Sequence, residues 1–351
     1  MGVADTAAKK PLVSVIVPAR NEEVCIANCL QSLMGQSGIN FEVILVDDGS
    51  TDQTRKIAQS FPGVEVIDPG PLPPGWTGKN NAVWAGGQKA SGEWLLFTDA
   101  DTVHLPGSLA HSVAEAGRRE AALLSFSPEQ EVHGFWEKAV MPVIFAELAG
   151  VYRPSEVSDP HSPAAAANGQ YLLIRRETYF AVGGHAAVSG TLLEDVALAR
   201  RVKASGCPIF FRYGGDAVRT RMYRSFSQLQ EGWTKNLALL FPSPARLAVL
   251  RFTEFTLILA CLVVAVRAAV GGRFLPAALS GLLFVLLLLF LLKRIRKAHF
   301  SWDATALALA GLPLFSFLLI RSKLVRKRGG VSWKGRIYPS SEEKEGYPFR
   351  A

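Results

Sequence analysis

Three apolar stretches, residues 252–270, 274–292 and 302–320, restrict what this chain can become more than anything else in it. Each is close to the roughly 20 residues that a helix needs to cross a bilayer. The second is dominated by Leu, Phe and Val. The first carries Glu254 and Arg267 near its ends, where long charged side chains can reach the polar boundary. Gly271-Gly272-Arg273 leaves room only for a tight hairpin between the first two. A buried helix pair in a soluble protein would explain two such stretches; three in succession point to a membrane.

The charge distribution agrees. The chain has 351 residues and a net charge of +8. Much of the excess sits in KRIRK (293–297) and RSKLVRKR (321–328), beside the apolar stretches. Basic clusters in that position suit an anionic membrane surface. No nucleic-acid recognition motif accompanies them, so no nucleic-acid partner is expected. With the front of the chain in the cytosol, two crossings return it there at KRIRK, as the positive-inside rule prefers. A third full crossing would carry RSKLVRKR outside, against that rule. Pro313 interrupts the third stretch, which is open to a bent, re-entrant or interfacial arrangement.

The four cysteines, Cys25, Cys29, Cys207 and Cys261, have no C-x-x-C spacing and no histidines to complete a zinc set. Core packing is their default, and nothing requires an oxidising compartment. The N-terminus has no apolar h-region of a secretory signal. Gly2 and Thr6 fit the short myristoylation pattern formally, and the match reads as chance.

The first hundred residues alternate regularly. Residues 12–18 (LVSVIVP), 41–46 (FEVILV), 64–67 (VEVI) and 94–98 (WLLFT) are apolar runs of the kind buried on both faces of a sheet. Between them lie helical segments at 21–36, 51–61 and 78–92. In the first of these Val24, Ile26, Leu30, Leu33 and Met34 form an apolar stripe. Strand–helix alternation predicts a parallel sheet with helices on both faces. Residues 119–135 read as further strand and loop. Residues 134–152 form an amphipathic segment suited equally to a membrane surface or an interior. Residues 168–184 read as strand, helix and Gly-Gly turn, and 192–206 as a helix with Glu194 and Asp195 in its first turn, where the dipole favours acids in any case.

Ligands of such sheets lie beyond the carboxyl ends of the strands. The residues falling there are Pro18, Arg20 and Glu22 after the first strand, Asp47 and Asp48 after the second, and Asp99 and Asp101 after the fourth. The pair Asp99-Ala100-Asp101 can present two hard oxygen ligands to Mg2+ or Mn2+ with positions left for phosphate oxygens; a plain turn or helix cap is the competing role for Asp101. In VDDGSTD (46–52), Asp47 or Asp48 can accept hydrogen bonds from a base or ribose, and Ser50, Thr51 or Asp52 can cap the next helix. Arg20 and Lys79 can offset phosphate charge.

In this order VSVIVPARNEE, VDDGSTD, FTDADT, LLEDVALARRV and EGWTKN resemble a family 2 glycosyltransferase of the GT-A fold, over roughly residues 12–240. PLPPGWTGKNNA (71–82), NGQYLLIRRE (168–177) and WKGRIYP (333–339) narrow the resemblance to a membrane-bound branch that includes hopanoid-associated and carotenoid-acid glycosyltransferases. The resemblance implies an α/β fold of GT-A type, a Rossmann-like, mostly parallel mixed sheet flanked by helices, followed by C-terminal transmembrane helices. It implies a tail (1–11), a catalytic domain (12–240), membrane helices (241–322) and a basic cytosolic tail (323–351), in a multi-pass protein of the cell membrane with its catalytic domain cytosolic.

The same resemblance assigns roles. Pro18, Arg20, Glu22, Asp47, Asp48, Lys79 and Asp99 would lie along a UDP- or GDP-linked sugar. Asp99 and Asp101 would bear Mg2+ or Mn2+. Asp195, beside Glu194, would be the general base, and Gln170, Trp233 and Lys235 would lie on the acceptor side. Processive polysaccharide synthases carry Gln-x-x-Arg-Trp at Trp233; this chain has QLQEGW, without the arginine, which Arg224 or Lys235 could replace. The expected reaction is an inverting, metal-dependent transfer to a membrane lipid: a carotenoid acid, hopanoid or related lipid. A polyprenyl-phosphate sugar synthase is the alternative within the class, and a nucleotide-sugar-binding membrane protein without turnover is the alternative outside it. A dinucleotide oxidoreductase would need G-x-G-x-x-G after the first strand, which is missing.

Overall fold

The structure, a computed structural model, describes residues 12–333 and 335–339. The expected tail at 1–11, with Gly2 and Thr6, the last twelve residues and Lys334 of the WKGRIYP motif lie outside them. The chain divides into two compact units. The first comprises the residues up to Glu131 and Tyr152–Arg221; the second comprises Val132–Val151 and everything from Met222.

The first unit is built in chain order from β1 (Val13–Ala19), α1 (Ile26–Met34), β2 (Phe41–Asp47), α2 (Thr54–Gln59), β3 (Val64–Ile67), α3 (Gly78–Lys89), β4 (Trp94–Phe97), β5 (Thr102–His104), α4 (Ser108–Arg118), β6 (Leu123–Ser127) and β7 (Glu129–Gln130). After an excursion through α5 (Phe135–Val151) in the second unit, it resumes with α6 (Pro154–Val157), β8 (Leu172–Arg175), α7 (Arg176–Ala181), α8 (Glu194–Ala204), β9 (Ile209–Tyr213) and β10 (Val218–Thr220).

Seven strands form one sheet in the order β3-β2-β1-β4-β8-β6-β9. The first four pair in parallel, as the alternation predicts, while β8 runs antiparallel to both neighbours. The sheet is therefore mixed and mostly parallel. Alternate residues of β1 serve opposite faces: Val13, Val15 and Val17 pack with α1, and Ile16 packs with Val83 of α3. All four are fully buried, each contributing roughly 1.5–3 kcal/mol of hydrophobic stabilisation. A smaller sheet, β5-β10-β7, follows directly on Asp101.

The first helix starts later than its apolar stripe suggests. Val24 precedes α1 and is 67% exposed, while Cys29 occupies the core. The cause is the loop before it. Asn21, at φ 54°, and Glu23 bind the backbone of the loop after β2: Asn21 Oδ1 accepts from Thr51 N at 2.8 Å and Glu23 Oε2 from Gln53 N at 3.0 Å.

The second unit holds α5, α9 (Phe226–Leu240), α10 (Pro244–Val270), α11 (Phe274–Ile295), α12 (Trp302–Lys327) and a hairpin of β11 (Gly330–Trp333) and β12 (Arg336–Pro339). Residues 222–240, grouped in sequence with the catalytic domain, belong here. So does the segment 134–152, whose two readings resolve to an interior helix: Val140, Val143 and Ile144 are fully buried. Gly311 of α12 meets α5 backbone to backbone; a Cβ there would fall on the Ala139 carbonyl, so only glycine fits.

Helices α10, α11 and α12 are each long and apolar enough to cross a membrane, but unequally covered: 11%, 6% and 50% of their apolar windows are buried within the protein. Glu254 is not an isolated boundary charge. It accepts from Arg251 at 2.6 Å and Arg294 at 2.9 Å, and Glu147 of α5 faces the same two guanidinium groups at 3.0 and 3.5 Å. Two arginines and two glutamates thus close a ring that ties α5, α10 and α11 together.

Candidate active site

Parallel register brings the ends of β1 and β2 level, with Ala19 opposite Asp47. Asp47 is buried; its Oδ1 accepts from Ser50 N at 3.2 Å and its Oδ2 faces Arg55 at 3.3 Å. Arg55 also grips Asp68 through two bonds of 2.6 and 3.0 Å. Arg20 donates to the Asp48 carbonyl at 2.6 Å. Pro18 is the penultimate residue of β1, and the Glu22 N–H donates to Thr54 Oγ1 at 2.7 Å. Asp52 accepts from Thr54 N at 3.0 Å and Glu23 N at 3.1 Å, holding the loop to α2. One corner of the sheet thus gathers Arg20, Asp47 and Asp48 on two interlocked loops.

The Asp-x-Asp turn leaves the end of β4. Thr102 Oγ1 donates to the Asp99 carbonyl at 2.7 Å, and Thr102 N closes the turn onto the same oxygen at 3.3 Å. Thr98, Thr102 and His104 form a buried hydrogen-bonded floor beneath it, with Thr98 Oγ1 donating to the Gln170 carbonyl at 2.8 Å. Burial drives the His104 pKa down to about 3, so the ring stays neutral. The floor holds the Asp99 backbone without using its carboxylate, and Thr220 Oγ1 donates to the Asp101 carbonyl at 3.3 Å.

The Asp99 carboxylate meets Lys79, which reaches on to α8. Lys79 Nζ lies 2.8 Å from Asp99 Oδ1 and 2.8 Å from Glu194 Oε1. A lysine in the first turn of a helix opposes the helix dipole, so the two acids, rather than α3 itself, hold it there. Burial works against its charge, but Asp99 and then Glu194 outweigh it and raise its pKa well above the ordinary value. Asp195, next on α8, accepts from Gly169 N at 2.8 Å and Val196 N at 2.8 Å. Burial, and then the Glu194 charge, raise its carboxyl to about 6, against the lowering effects of Lys79 and the two N–H donors. Gly169 leaves little room here: a Cβ would stand 3.1 Å from Lys79 Nζ, which would have to shift slightly, and 3.6 Å from Asp195 Oδ2, an ordinary contact. Pro18, Lys79, Asp99, Gly169, Glu194 and Asp195 line one cleft.

Asn80 sets this geometry and gives no sign of it in the sequence. It is fully buried, and its Nδ2 donates to the carbonyls of Val188, Ser189 and Thr191, at 2.8–3.0 Å. That loop leads into α8. Asn80 therefore joins the helix bearing Lys79 to the one bearing Glu194 and Asp195.

The acceptor-side candidates fall in different surroundings. Gln170 is buried in the first unit, its amide donating to Thr220 Oγ1 at 3.2 Å. Trp233 lies in the core of the second unit, where its Nε1 donates to Met141 Sδ at 3.3 Å. Lys235 is half-buried and Arg224 exposed on the same unit.

As a cation site, Asp99 and Asp101 supply only hard oxygen donors. No group of three or more His, Cys, Asp or Glu residues that could hold a metal is found among the described residues. A two-carboxylate set fits Mg2+ or Mn2+ carrying most of its coordination on phosphate and water, and does not fit a closed zinc site.

The profile of glycosyl transferase family 2 matches residues 14–177. A 4,4'-diaponeurosporenoate glycosyltransferase of Staphylococcus aureus (strain MRSA252) is 30% identical over 346 residues, 95% of this chain and 89% of that one. The chain belongs to glycosyltransferase family 2. The protein from strain USA300 with the same name is 32% identical over 230 residues, 64% of this chain and 60% of that one. A mannosyltransferase from Pyrobaculum calidifontis, solved with GDP-Man and Mn2+, has the same fold at 18% identity, with a TM-score of 0.54 over 91% of this chain and 87% of that one. As a member of this family the protein is a glycosyltransferase, and its sheet is of GT-A type.

Proposed function

We propose that this glycosyltransferase moves a sugar from a nucleotide-diphosphate donor to a membrane lipid, with inversion, and that the acceptor is a carotenoid acid. The observation that carries the reading is the Lys79 bridge. One ammonium joins Asp99 of the Asp-x-Asp turn to Glu194, while a backbone N–H holds Asp195 beside them. The carboxylates assigned to donor and acceptor chemistry thereby share one cleft.

Arg20, Asp47 and Asp48 take the nucleoside end of the donor, UDP- or GDP-linked. Asp99 and Asp101 hold Mg2+ or Mn2+, which when bound neutralises charge on the departing diphosphate. Lys79 adds a fixed positive charge on the same side. Asp195 receives the proton of a hydroxyl acceptor, and its raised pKa makes it a stronger base than a surface carboxylate. A carboxylic acid acceptor is already ionised near neutrality. Towards such an acceptor Asp195 orients rather than deprotonates.

Two things favour the carotenoid acid. The relatives that match nearly the whole chain are named for one, and three helices of this chain are apolar enough to cross a bilayer. An anchored enzyme meets a dissolved lipid without the lipid leaving the membrane. The catalytic unit is taken to be cytosolic, on the side of the basic clusters.

The test uses membranes containing the full chain, a panel of UDP- and GDP-linked sugars, and mass spectrometry of the extracted lipids. The expected product is a carotenoid acid carrying one sugar, of anomeric configuration opposite to the donor's. Labelling of polyprenyl phosphate alone would replace the reading with its neighbour in the same class. Donor binding with no transfer to any lipid would overturn it.

A further inference from the structure

Both ends of α12 lie on the side of the α10–α11 hairpin from which the hairpin starts. The order of contacts along α12 requires this. Arg294, at the end of α11, pairs with Glu254 in the first half of α10, so the hairpin begins and ends on one side, with its Gly271-Gly272 turn on the other. The charge ring marks that first side. Phe300, just ahead of α12, packs at 5.9 Å on Phe145, two residues from Glu147 of the ring. Asp303 in the first turn of α12 meets Lys138 of α5 at 2.6 Å.

The far end of α12 has not moved away. Phe315, half-way along, packs on Phe241, three residues before α10 begins. Ser322 Oγ accepts from Ala238 N at 2.9 Å, and Arg321 donates to Thr234 Oγ1 at 3.2 Å. Ala238 is only six residues ahead of Pro244, the first residue of α10. A helix of 26 residues, about 39 Å long, thus runs from the end of α11 back to the start of α10.

We infer that α12 does not cross the bilayer but lies along its surface, on the leaflet where the α10–α11 hairpin enters and leaves. The exposed side of α12 fits that partner. Trp302, Ala306, Ala310, Phe317, Ile320 and Leu324 form an apolar stripe along its length. The opposite side is buried in the protein, which is why its apolar window is 50% covered while those of α10 and α11 are almost bare. A helix with one wet or lipid-facing stripe, one protein-facing side and basic residues at its end is the pattern of an interfacial segment. It also keeps KRIRK and RSKLVRKR on one side, as the positive-inside rule prefers.

The inference rests on the membrane reading of the hairpin, and the experiment separates the two. A topology reporter is placed in the full chain at the N-terminus, within Gly271-Gly272, or after Gly329. The expected result is the N-terminal and 329 reporters on one side and the 271 reporter on the other. Reporters at 271 and 329 on the same side, opposite the N-terminus, would show that α12 crosses and overturn the inference alone. All three on one side would remove the crossing hairpin, and with it both readings. A second measurement is independent of fusions: nitroxide labels at Ala306→Cys, Ala310→Cys and Phe317→Cys, with depth read from oxygen and nickel accessibility. Equal shallow depths are expected. Depths that change monotonically by about 16 Å from 306 to 317, the length of eleven helical residues, would overturn it.

Discussion

Each unit contains an ionic group assembled from distant parts of the chain, and the two groups differ in one respect. The ring of the second unit sets two arginines against two glutamates, and all four side chains are less than one-fifth exposed. The cleft of the first unit sets one ammonium, Lys79, against Asp99 and Glu194, with Asp195 also lining it and Asp101 two residues on from Asp99. The ring is balanced; the cleft has surplus negative charge. A balanced buried group completes a structure and needs nothing more. Surplus charge at the rim of a sheet is what a cation and a polar substrate would find useful.

The contrast can be broken most severely by chelation. EDTA treatment of membranes containing the enzyme should abolish transfer, with Mn2+ or Mg2+ restoring it, while the thermal midpoint of the protein hardly moves. Transfer that survives chelation would mean the cleft's charge is met by Lys79 alone. Asp195→Asn should slow transfer to a hydroxyl acceptor by about 100- to 10,000-fold, the usual range for losing a general base. On a carotenoid acid the same variant should lose less than about tenfold, because that acceptor is already ionised. Equal losses in initial rate on both acceptors would remove the distinction between deprotonating and orienting.

The ring should respond in the opposite currency. Glu147→Gln leaves two buried guanidinium groups facing one carboxylate, and should cost about 3–5 kcal/mol of stability, read as a lowered unfolding midpoint in detergent, while kcat of the folded fraction is unchanged. Asn80→Ala should mix the two behaviours. Loss of buried hydrogen bonds removes about 1–3 kcal/mol of stability, and kcat should fall while the donor KM stays near its original value, since the nucleoside corner is untouched.

The smallest expected effect concerns pH. The Asp195 carboxyl is raised in the folded protein to about 6, above the ordinary carboxylate value. The folded state therefore holds that proton longer than the unfolded chain does. Stability attached to this group is lost as pH rises from the ordinary carboxylate range through about 6. Asp195→Asn should thus unfold at the same temperature as the parent near pH 4 and at a modestly higher one at pH 7. A midpoint difference that does not change between those pH values would contradict the shift.

What the sequence disclosed follows the same division. Strands β1, β2 and β4 are continuous apolar runs because both their faces are covered, and a run of that kind is visible without any partner. Asp99 and Asp101 were visible because they break such a run. The Lys79–Glu194 pair was not, since 115 positions separate them and only the folded sheet edge makes them neighbours. Glu254 read as a boundary charge because Arg294 and Glu147 reach it from two other helices. Asn80 does not stand out within PLPPGWTGKNNA, because nothing local distinguishes a side chain that binds three carbonyls from one in water. Val24 misled in the other direction: its spacing suits the apolar stripe, but the loop bonds of Asn21 and Glu23 decide where α1 begins.

The excursion of the chain through α5 has a practical consequence. The two segments that make the first unit are joined through a helix whose apolar side is covered by α12, with the Gly311 contact near its start. Cutting the gene after residue 240 would leave that side bare, in the middle of the expressed product rather than at its end. A fragment restricted to the first unit would instead have to leave out α5 as well as everything beyond 221.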